Sequence, residues 1–366
     1  MNFKNELVIF IPSIEDGGVE KNLYLIANYL SKKIEKISLI TSSKNKIKKF
    51  NKKINYIYPK STFWDNKNRK YKTFICLFIL IKKIIANKNI LLFSFQANIY
   101  ALIIANLFKI KIVVRSNTAP AGWNKNFFKK IIFRFFYQKA NLVIVNSKYF
   151  QKQMKNDLNI NSQCIYNPLD THLIKVRSQK KIKFNFFKRN TLNLINIGRL
   201  TDQKDQITIL KAINLIKKSI KLKLLIIGKG SELYNLNKYI INHNLKKIVK
   251  CIGYKNNPYP YIKKSDIFIL SSIYEGLPNV LLESMFLKKF VISTNCPTGP
   301  YEILNNNKYG KLFQIKDYSA LSKTILDYKS YYKNKKILNA AFHSLERFDF
   351  KINCEKYYNF IKTYLH

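Results

Sequence analysis

Short apolar runs alternate with helical patterns along nearly the whole chain, and this alternation limits most strongly how it can fold. Runs such as "ELVIFIPS" and "NLVIVNS" are apolar on both faces, which is typical of parallel strands covered by helices. The pattern stops at "CIYNPLD" (164–170), crosses a basic stretch without a clear period, and resumes at "TLNLINIG". Further strands are predicted at "KISLIT", "INYIYP", "ILLFSF", "KIVVRS", "LKLLIIG", "IVKCIG", "DIFILSS" and "KFVIST", and helices are expected to begin near Gly18, Lys70, Asn98, Asn124 and Ser147.

Two βα-repeating halves predict an α/β protein with two doubly wound, Rossmann-like domains and a cleft between them. A chain of 366 residues has the length for two domains of about 150 to 180 residues each. We assign residues 1–170 to an N-terminal domain, 171–190 to a linker, 191–345 to a C-terminal domain and 346–366 to a final helix.

The composition indicates a globular protein with an unusual charge. Hydrophobic residues make up 47% of the chain, and 66 Lys and Arg against 20 Asp and Glu give a net charge of +46. Such an excess favours an anionic partner: nucleic acid, an acidic membrane face or a phosphorylated substrate. Codon composition is an equal alternative, because Lys, Asn and Ile all have AT-rich codons and all are abundant here.

The cysteines and the apolar segments favour a protein of the reducing cytoplasm. The five cysteines are scattered without any C-x-x-C pair, and the four histidines lie far apart, so neither disulfides nor a zinc site is expected. The N-terminal apolar run is expected to be a buried strand rather than a signal peptide. The uncharged stretch 89–108 is interrupted by polar residues, which predicts strand, loop and helix rather than a membrane span.

The stretch "SSIYEGLPNVLLESMF" (271–286) places two carboxylates, Glu275 and Glu283, eight positions apart. A buried strand is expected to end in a loop that carries Glu275, and a mostly apolar helix capped by Asn279 should bury Glu283. A buried carboxylate needs hydrogen-bond donors, which sugar hydroxyls can supply, and the backbone N–H groups of 279–281 can bind phosphate. The alternative is that Glu283 only complements the helix dipole and Glu275 only solvates its loop.

Two other strand ends carry residues suited to phosphates. "NIGRLTDQKD" offers Gly198, Arg199 and Lys204, and two fixed cations there suit a diphosphate leaving group unless they are merely solvated. "PSIEDGGVEKNL" ends the first strand with Gly17 and Gly18, which allow close approach of a ligand or form a simple turn. The dinucleotide fingerprint G-x-G-x-x-G is absent.

The combined motifs resemble those of the retaining glycosyltransferases of family 4, bacterial surface-polysaccharide type, which have the two-domain GT-B fold. "EGLPNVLLE" matches the E-x7-E signature, and "GGVE", "GRL…K", "CIGY" and "STNCPTGPYEIL" occur in the family's order over residues 6–315. The resemblance implies catalytic roles for Arg199 and Lys204 on the donor diphosphate and for Glu275 on the transferred sugar. Glu283 would hold the ribose, and the final helix would pack back on the first domain. The donor site it implies consists of Gly18, Gly198, Arg199, Lys204, Gly253, Tyr254, Glu275, Gly276, Leu277, Pro278, Asn279, Val280, Leu281 and Glu283.

The same resemblance implies the substrates. The donor would be a nucleotide sugar, by analogy a UDP-linked hexose or N-acetylhexosamine, and the acceptor a lipid-linked, lipopolysaccharide or capsule glycan. Because no Asp-x-Asp motif is present, no metal or other cofactor is expected. Many relatives carry a histidine in the N-terminal domain; here no histidine precedes His172, so Arg115 and Asn117 join Gly17 as acceptor-side candidates.

The segment "WNKNFFKKIIFRFFYQKA" (123–140) predicts a basic amphipathic helix. Such helices lie on anionic bilayers, and this one suggests peripheral attachment to the inner face of the cell membrane through Lys125, Lys129, Lys130 and Arg134. In the alternative, its apolar stripe faces the domain core.

Other functional classes remain open from sequence alone. Charge and interleaved aromatics fit a nucleic-acid-binding protein, although the basic residues are dispersed and no binding module is visible, so no nucleic acid is expected. A phosphorylase or an epimerase would share the GT-B fold.

Overall fold

A computed structural model describes residues 5–15, 17–64, 66–117, 127–296, 298–328 and 335–366. The chain forms two compact units, one made of Met1–Pro168 with Phe350–His366 and the other of Leu169–Asp349. The segment 171–190, expected as a linker, lies inside the second unit and contains a helix, Thr171–Ser178.

The first unit contains a sheet of seven described strands, all paired in parallel. The strands are β1 (Glu6–Phe10), β2 (Ile37–Ile40), β3 (Asn55–Ile57), β4 (Ile90–Ser94), β5 (Lys111–Arg115), β6 (Leu142–Val145) and β7 (Gln163–Cys164), and they lie in the order β3-β2-β1-β4-β5-β6-β7. The helices are α1 (Gly18–Leu30), α2 (Arg69–Ala86), α3 (Asn98–Leu107), α4 (Phe127–Tyr137) and α5 (Lys148–Leu158).

Helices cover both faces of this sheet. On one face, α1 and the C-terminal helix Phe350–Leu365 pack against alternate strand residues such as Leu7 and Phe93. On the other face, α2 to α5 pack against residues such as Val8 and Leu92. The strands are therefore buried on both sides, which is why they read as continuous apolar runs.

The second unit repeats the arrangement with six described parallel strands in the order β10-β9-β8-β11-β12-β13. These are β8 (Leu192–Ile197), β9 (Leu222–Ile227), β10 (Val249–Cys251), β11 (Ile267–Leu270), β12 (Phe290–Thr294) and β13 (Lys311–Phe313). The helices are α6 (Thr171–Ser178), α7 (Gln206–Ile216), α8 (Leu233–Asn242), α9 (Tyr259–Lys264), α10 (Asn279–Phe286), α11 (Gly299–Leu304), α12 (Tyr318–Leu326) and α13 (Lys335–His343), and the C-terminal helix of the first unit is α14.

The predicted fold class is confirmed: two parallel sheets are each flanked by helices. The uncharged stretch 89–108 contains β4 and α3, as expected. Among the described helices, none combines the length and the apolar character that a bilayer crossing requires. The helix start expected at Asn124 lies outside the described residues.

Candidate functional site

Lys204 and Glu275 form an ion pair at the carboxyl end of the second sheet. Lys204 ends a short 3-10 turn after β8, and Glu275 lies in the loop after β11. β8 and β11 are neighbouring strands, so their loops emerge side by side. The backbone ties them together as well, because the Ile273 N–H donates to the Gln203 carbonyl at 2.8 Å. The side chains of Lys204 and Glu275 are only 17% and 9% exposed, so the pair is largely shielded from water.

The Glu275 loop is held by hydroxyl groups from three positions. Ser272 Oγ donates to Glu275 Oε1 at 2.6 Å, and Thr294 Oγ1 donates to the Ser272 carbonyl at 2.6 Å. Thr298 Oγ1 lies within hydrogen-bonding reach of the carbonyls of both Glu275 and Gly276. Gly299 is packed so closely that a Cβ there would lie 2.1 Å from the Gly276 carbonyl oxygen. The loop after β12 therefore clamps the loop that carries Glu275.

Thr298 adopts a backbone conformation that β-branched residues rarely take, with φ of 87°. Strained residues of this kind persist where the surrounding structure over-determines them, often at functional sites. Here the conformation directs the hydroxyl toward the Glu275 loop.

Arg199 is exposed, in contrast to Lys204. Its guanidinium donates weakly to Gln203 Oε1 at 3.4 Å, and its carbonyl accepts from Gln206 Nε2 at 3.0 Å. The backbone is thus fixed while the cation faces solvent, where it can meet an anionic ligand.

Glu283 lies in the middle of α10 and is only 5% exposed, as the sequence predicts. The helix start differs from expectation: Pro278 precedes the first turn as its cap, and no side chain caps the helix. The backbone N–H groups of 279–281 were expected to bind phosphate. One of them is already used, because the Leu281 N–H donates to the Pro278 carbonyl at 3.1 Å.

Close packing of glycines joins the neighbouring strand ends. A Cβ on Gly228, after β9, would lie 1.8 Å from the Gly198 carbonyl oxygen, and the Gly228 N–H donates to the Gly253 carbonyl at 3.1 Å. Gly253 has φ of 68°, a conformation that favours glycine, and Tyr254 beside it is exposed. The predicted donor residues Gly198, Gly253, Tyr254, Glu275 to Leu281 and Glu283 all follow strands β8, β10 and β11 of one sheet.

Cys296 is buried close to this loop. Burial raises the pKa of its thiol to about 12, and the neighbouring Glu275 carboxylate acts in the same direction. The thiol therefore stays protonated at neutral pH and is no nucleophile.

The predicted glycines of the first unit lie at the start of α1. Gly17 precedes the helix and Gly18 begins it. Glu20, which sequence reasoning passed over, is buried there and accepts a hydrogen bond from Gln96 Nε2 at 3.1 Å. Burial raises the pKa of Glu20, although backbone donors oppose this.

Arg115 was expected to contact the acceptor, but it is buried inside the first unit and has a structural role. Its side chain is wholly buried, with Nε donating to Tyr357 of α14 at 2.8 Å and Nη2 to Asn167 at 2.7 Å. The Arg115 guanidinium therefore links α14 to the sheet and is not accessible to solvent. Asn117 donates to the Phe95 carbonyl at 2.8 Å and is partly exposed.

Two of the four predicted membrane-contact cations can be described in full. Lys130 and Arg134 are exposed on α4. Lys125 lies outside the described residues, as does the side chain of Lys129. The alternative that the apolar stripe faces the core is wrong for Ile131, Ile132 and Phe135, which are about half exposed (49%, 48% and 52%).

Sequence reasoning did not assign Ser272, Thr294 and Thr298 to the site. The hydroxyls of Thr294 and Thr298 donate to carbonyls 22 or 23 positions away, which no local period reveals, and Ser272 reaches Glu275 across the turn of their shared loop. The one signal was position: each lies at or just after the carboxyl end of a strand.

In the described part of the chain, no group of three or more His, Cys, Asp or Glu side chains could hold a metal ion.

Family comparisons match both units. The family model "Glycosyltransferase Family 4" matches residues 16–173, and "Glycosyl transferases group 1" matches residues 178–341. The two ranges follow one another and cover most of both sheets. The chain belongs to glycosyltransferase family 4, with the GT-B architecture. The glycosyltransferase interpretation is thereby confirmed rather than the nucleic-acid-binding alternative.

Two individual relatives are also glycosyltransferases by name. The chain is 33% identical over 212 residues to an uncharacterized glycosyltransferase of Methanocaldococcus jannaschii, covering 55% of this chain but only about half (52%) of that protein. It is 28% identical over 357 residues to the Campylobacter jejuni N-acetylgalactosamine-N,N'-diacetylbacillosaminyl-diphospho-undecaprenol 4-alpha-N-acetylgalactosaminyltransferase, covering 90% and 93% of the two chains. The crystal structure of Anabaena HepE in complex with UDP has the same fold, with a TM-score of 0.79 at 16% identity over 98% of this chain and all of the other.

Proposed function

We propose that the protein is a retaining glycosyltransferase that moves a hexose or N-acetylhexosamine from a UDP-sugar to a lipid-linked glycan. The observation that carries the proposal is the shielded Lys204–Glu275 pair in the loops after β8 and β11, with buried Glu283 on α10, the helix that follows the Glu275 loop. UDP is supported by the UDP complex of a protein of the same fold, and the acceptor class by the diphospho-undecaprenol substrate in the name of the Campylobacter relative.

The geometry suggests how the donor is handled. Loss of a nucleoside diphosphate places negative charge on the leaving oxygens, and fixed cations stabilise that charge. Arg199, which is exposed, and Lys204, which is largely shielded, would supply these cations without a metal ion. In the described structure both side-chain contacts of the Glu275 carboxylate go to Oε1, so Oε2 is the oxygen that we assign to a sugar hydroxyl.

Glu283 would accept hydrogen bonds from the ribose hydroxyls. Its burial on α10 fits this role, because a buried carboxylate is stabilised by donors and a ribose offers two of them. Gly253 and Tyr254 would contact the base.

A donor screen tests the nucleotide. At about a hundred times its dissociation constant, a true ligand stabilises the folded protein by roughly 2.7 kcal/mol, which a thermal-unfolding assay detects. UDP and UDP-sugars should raise the unfolding temperature, whereas ADP, GDP and their sugars should not. Equal shifts with all nucleotides would contradict the choice of UDP.

Product analysis tests the reaction. With the selected donor and a polyprenyl-diphosphate-linked glycan, mass spectrometry should show one sugar added to the lipid-linked acceptor, and NMR should show that the anomeric configuration is retained. EDTA should leave the rate unchanged. Free sugar or sugar phosphate as the sole product would favour an epimerase or a phosphorylase instead.

We also propose that the enzyme works at the inner face of the cell membrane, as a peripheral protein. The exposed cations of α4 and the charge of +46 support attraction to anionic lipid. Flotation with vesicles of phosphatidylglycerol should weaken in Lys130→Glu with Arg134→Glu, while Lys246→Glu with Lys247→Glu in the second unit should float like the parent. Equal flotation of both variants would contradict a role for α4.

A further inference from the structure

Helices α2 and α3 carry a second apolar stripe on the side that faces away from the core. On α2 the inner stripe of Cys76, Leu80 and Ile84 is buried, and the outer stripe is exposed. The outer residues of α2 are Tyr71, Phe74, Phe78 and Ile85, and those of α3 are Tyr100, Ile103 and Leu107. Their spacing of three, four and seven positions places them along one face of each helix.

These stripes continue the exposed apolar residues of α4. α3 packs beside both α2 and α4, and all three helices cover the same face of the sheet. Phe74 and Leu107 are 70% and 73% exposed, values unusual for large apolar side chains that come in rows. A helix that is apolar on both sides needs a second apolar neighbour besides its own core.

Charge identifies that neighbour. None of the three helices contains an acidic residue, and the sequence from Asn66 to Asn156 has no Asp or Glu at all. A lysine ammonium lies over the ring of Phe78 at 4.6 Å, over Phe135 at 4.1 Å and over Phe63, just before α2, at 4.2 Å. Aromatic rings with lysines beside them suit the boundary between headgroups and acyl chains.

We infer that α2, α3 and α4 together form a bilayer-inserting surface for anionic phospholipid. The outer stripes of α2 and α3 would enter the acyl-chain boundary, and the lysines would meet the headgroup phosphates. This inference rests on the proposed peripheral membrane location and extends it from one charged helix to an apolar surface of three helices. The surface lies on the bilayer rather than crossing it.

Vesicle binding tests the apolar part of this surface. With the full chain and vesicles of phosphatidylglycerol and phosphatidylethanolamine, Phe74→Ser with Phe78→Ser should lower partitioning at least about tenfold. The matched control is Leu215→Ser with Tyr234→Ser, two exposed apolar residues of the second unit, which should bind like the parent. Equal loss in both pairs, or no loss in the first, would overturn the inference.

A fluorescent probe separates insertion from surface attraction. Phe78→Trp is made in a chain whose two tryptophans, Trp64 and Trp123, are replaced by Phe. We expect its emission to shift to the blue on these vesicles and to be quenched by brominated acyl chains. Unchanged emission with continued flotation would overturn insertion and leave lysine attraction alone.

Two further measurements distinguish membrane insertion from self-association and from a failure of the glycosyltransferase proposal. If the stripes bind a second copy of the chain instead, light scattering will show a dimer that Phe74→Ser with Phe78→Ser dissociates, which also contradicts the inference. UDP binding by the second unit should be unchanged in every variant, so failure of the lipid test leaves the glycosyltransferase proposal standing.

Discussion

The Lys204 ammonium contacts Oε1 of the Glu275 carboxylate, and the Ser272 hydroxyl donates to the same oxygen at 2.6 Å. Two loops that follow neighbouring strands are thus joined by opposite charges inside a shielded site. In the proposed reaction, Lys204 would face the leaving diphosphate and Glu275 would hold the transferred sugar.

Removing one member of the pair should cost more than removing both. Lys204→Met leaves the Glu275 carboxylate without its cation, and Glu275→Gln leaves the ammonium without its anion; each should destabilise the fold by about 3 kcal/mol. The double variant should recover part of that loss, as measured by urea unfolding. Additive losses would show that the two residues do not interact. In transfer assays each single variant should be slower by about a hundredfold or more.

Gly228 and Gly198 offer a matched pair of substitutions. Gly228→Ala would place a Cβ 1.8 Å from the Gly198 carbonyl oxygen. The Cβ of Gly198→Ala would make only ordinary contacts, with Lys204 Cδ at 3.7 Å as the nearest atom. We expect Gly228→Ala to displace the 198–204 loop, lowering both the thermal stability and the affinity for UDP. Gly198→Ala should fold nearly normally. If the two variants are equally stable, the loop does not pack against β9 as described.

The hydroxyl of Thr298 is expected to support catalysis by holding the Glu275 loop in place. Thr298→Val keeps the shape but removes the donor to the Glu275 and Gly276 carbonyls, so the Glu275 loop should loosen. We expect kcat to fall about tenfold with little change in UDP affinity, and Thr298→Ser to restore the rate. A rate loss in the serine variant equal to that of valine would assign the effect to shape or backbone instead.

The C-terminal helix is held by a buried polar contact. Tyr357→Phe removes the oxygen that accepts from Arg115 Nε and leaves that donor buried without it. We expect a loss of about 1–3 kcal/mol in the free energy of unfolding, with UDP binding unaffected. Tyr358→Phe, on the more exposed side of the same helix, is the control and should change stability little. A wild-type stability for Tyr357→Phe would contradict the role assigned to Arg115.

The fold could be predicted from the sequence because the pattern that marks each strand lies within a few consecutive residues. Each strand of a covered parallel sheet is apolar on both sides, so β1, β4 and β11 appear in the sequence as runs of Ile, Leu, Val and Phe. The burial of Glu283 was also visible, since its neighbours on α10 are apolar around most of the helix.

The misjudged residues all depend on partners far along the chain. Arg115 ends strand β5, and this position suggested a ligand contact, but Tyr357, 242 positions away, binds the guanidinium inside the core. Two of the hydroxyls that hold the Glu275 loop, those of Thr294 and Thr298, likewise come from 22 and 23 positions away. The outer stripes of α2 and α3 were hidden for another reason: in sequence, two apolar faces on one helix resemble a single buried helix.

Calorimetric titration of UDP into the protein and into Glu283→Gln measures the central claim most directly, with Glu346→Gln, an exposed acid of the same unit, as the control. We predict one UDP site per chain, weakened about ten- to a hundredfold in Glu283→Gln and unchanged in Glu346→Gln. Equal affinity of the parent and Glu283→Gln would mean that this carboxylate does not hold the ribose, and would contradict the site described here.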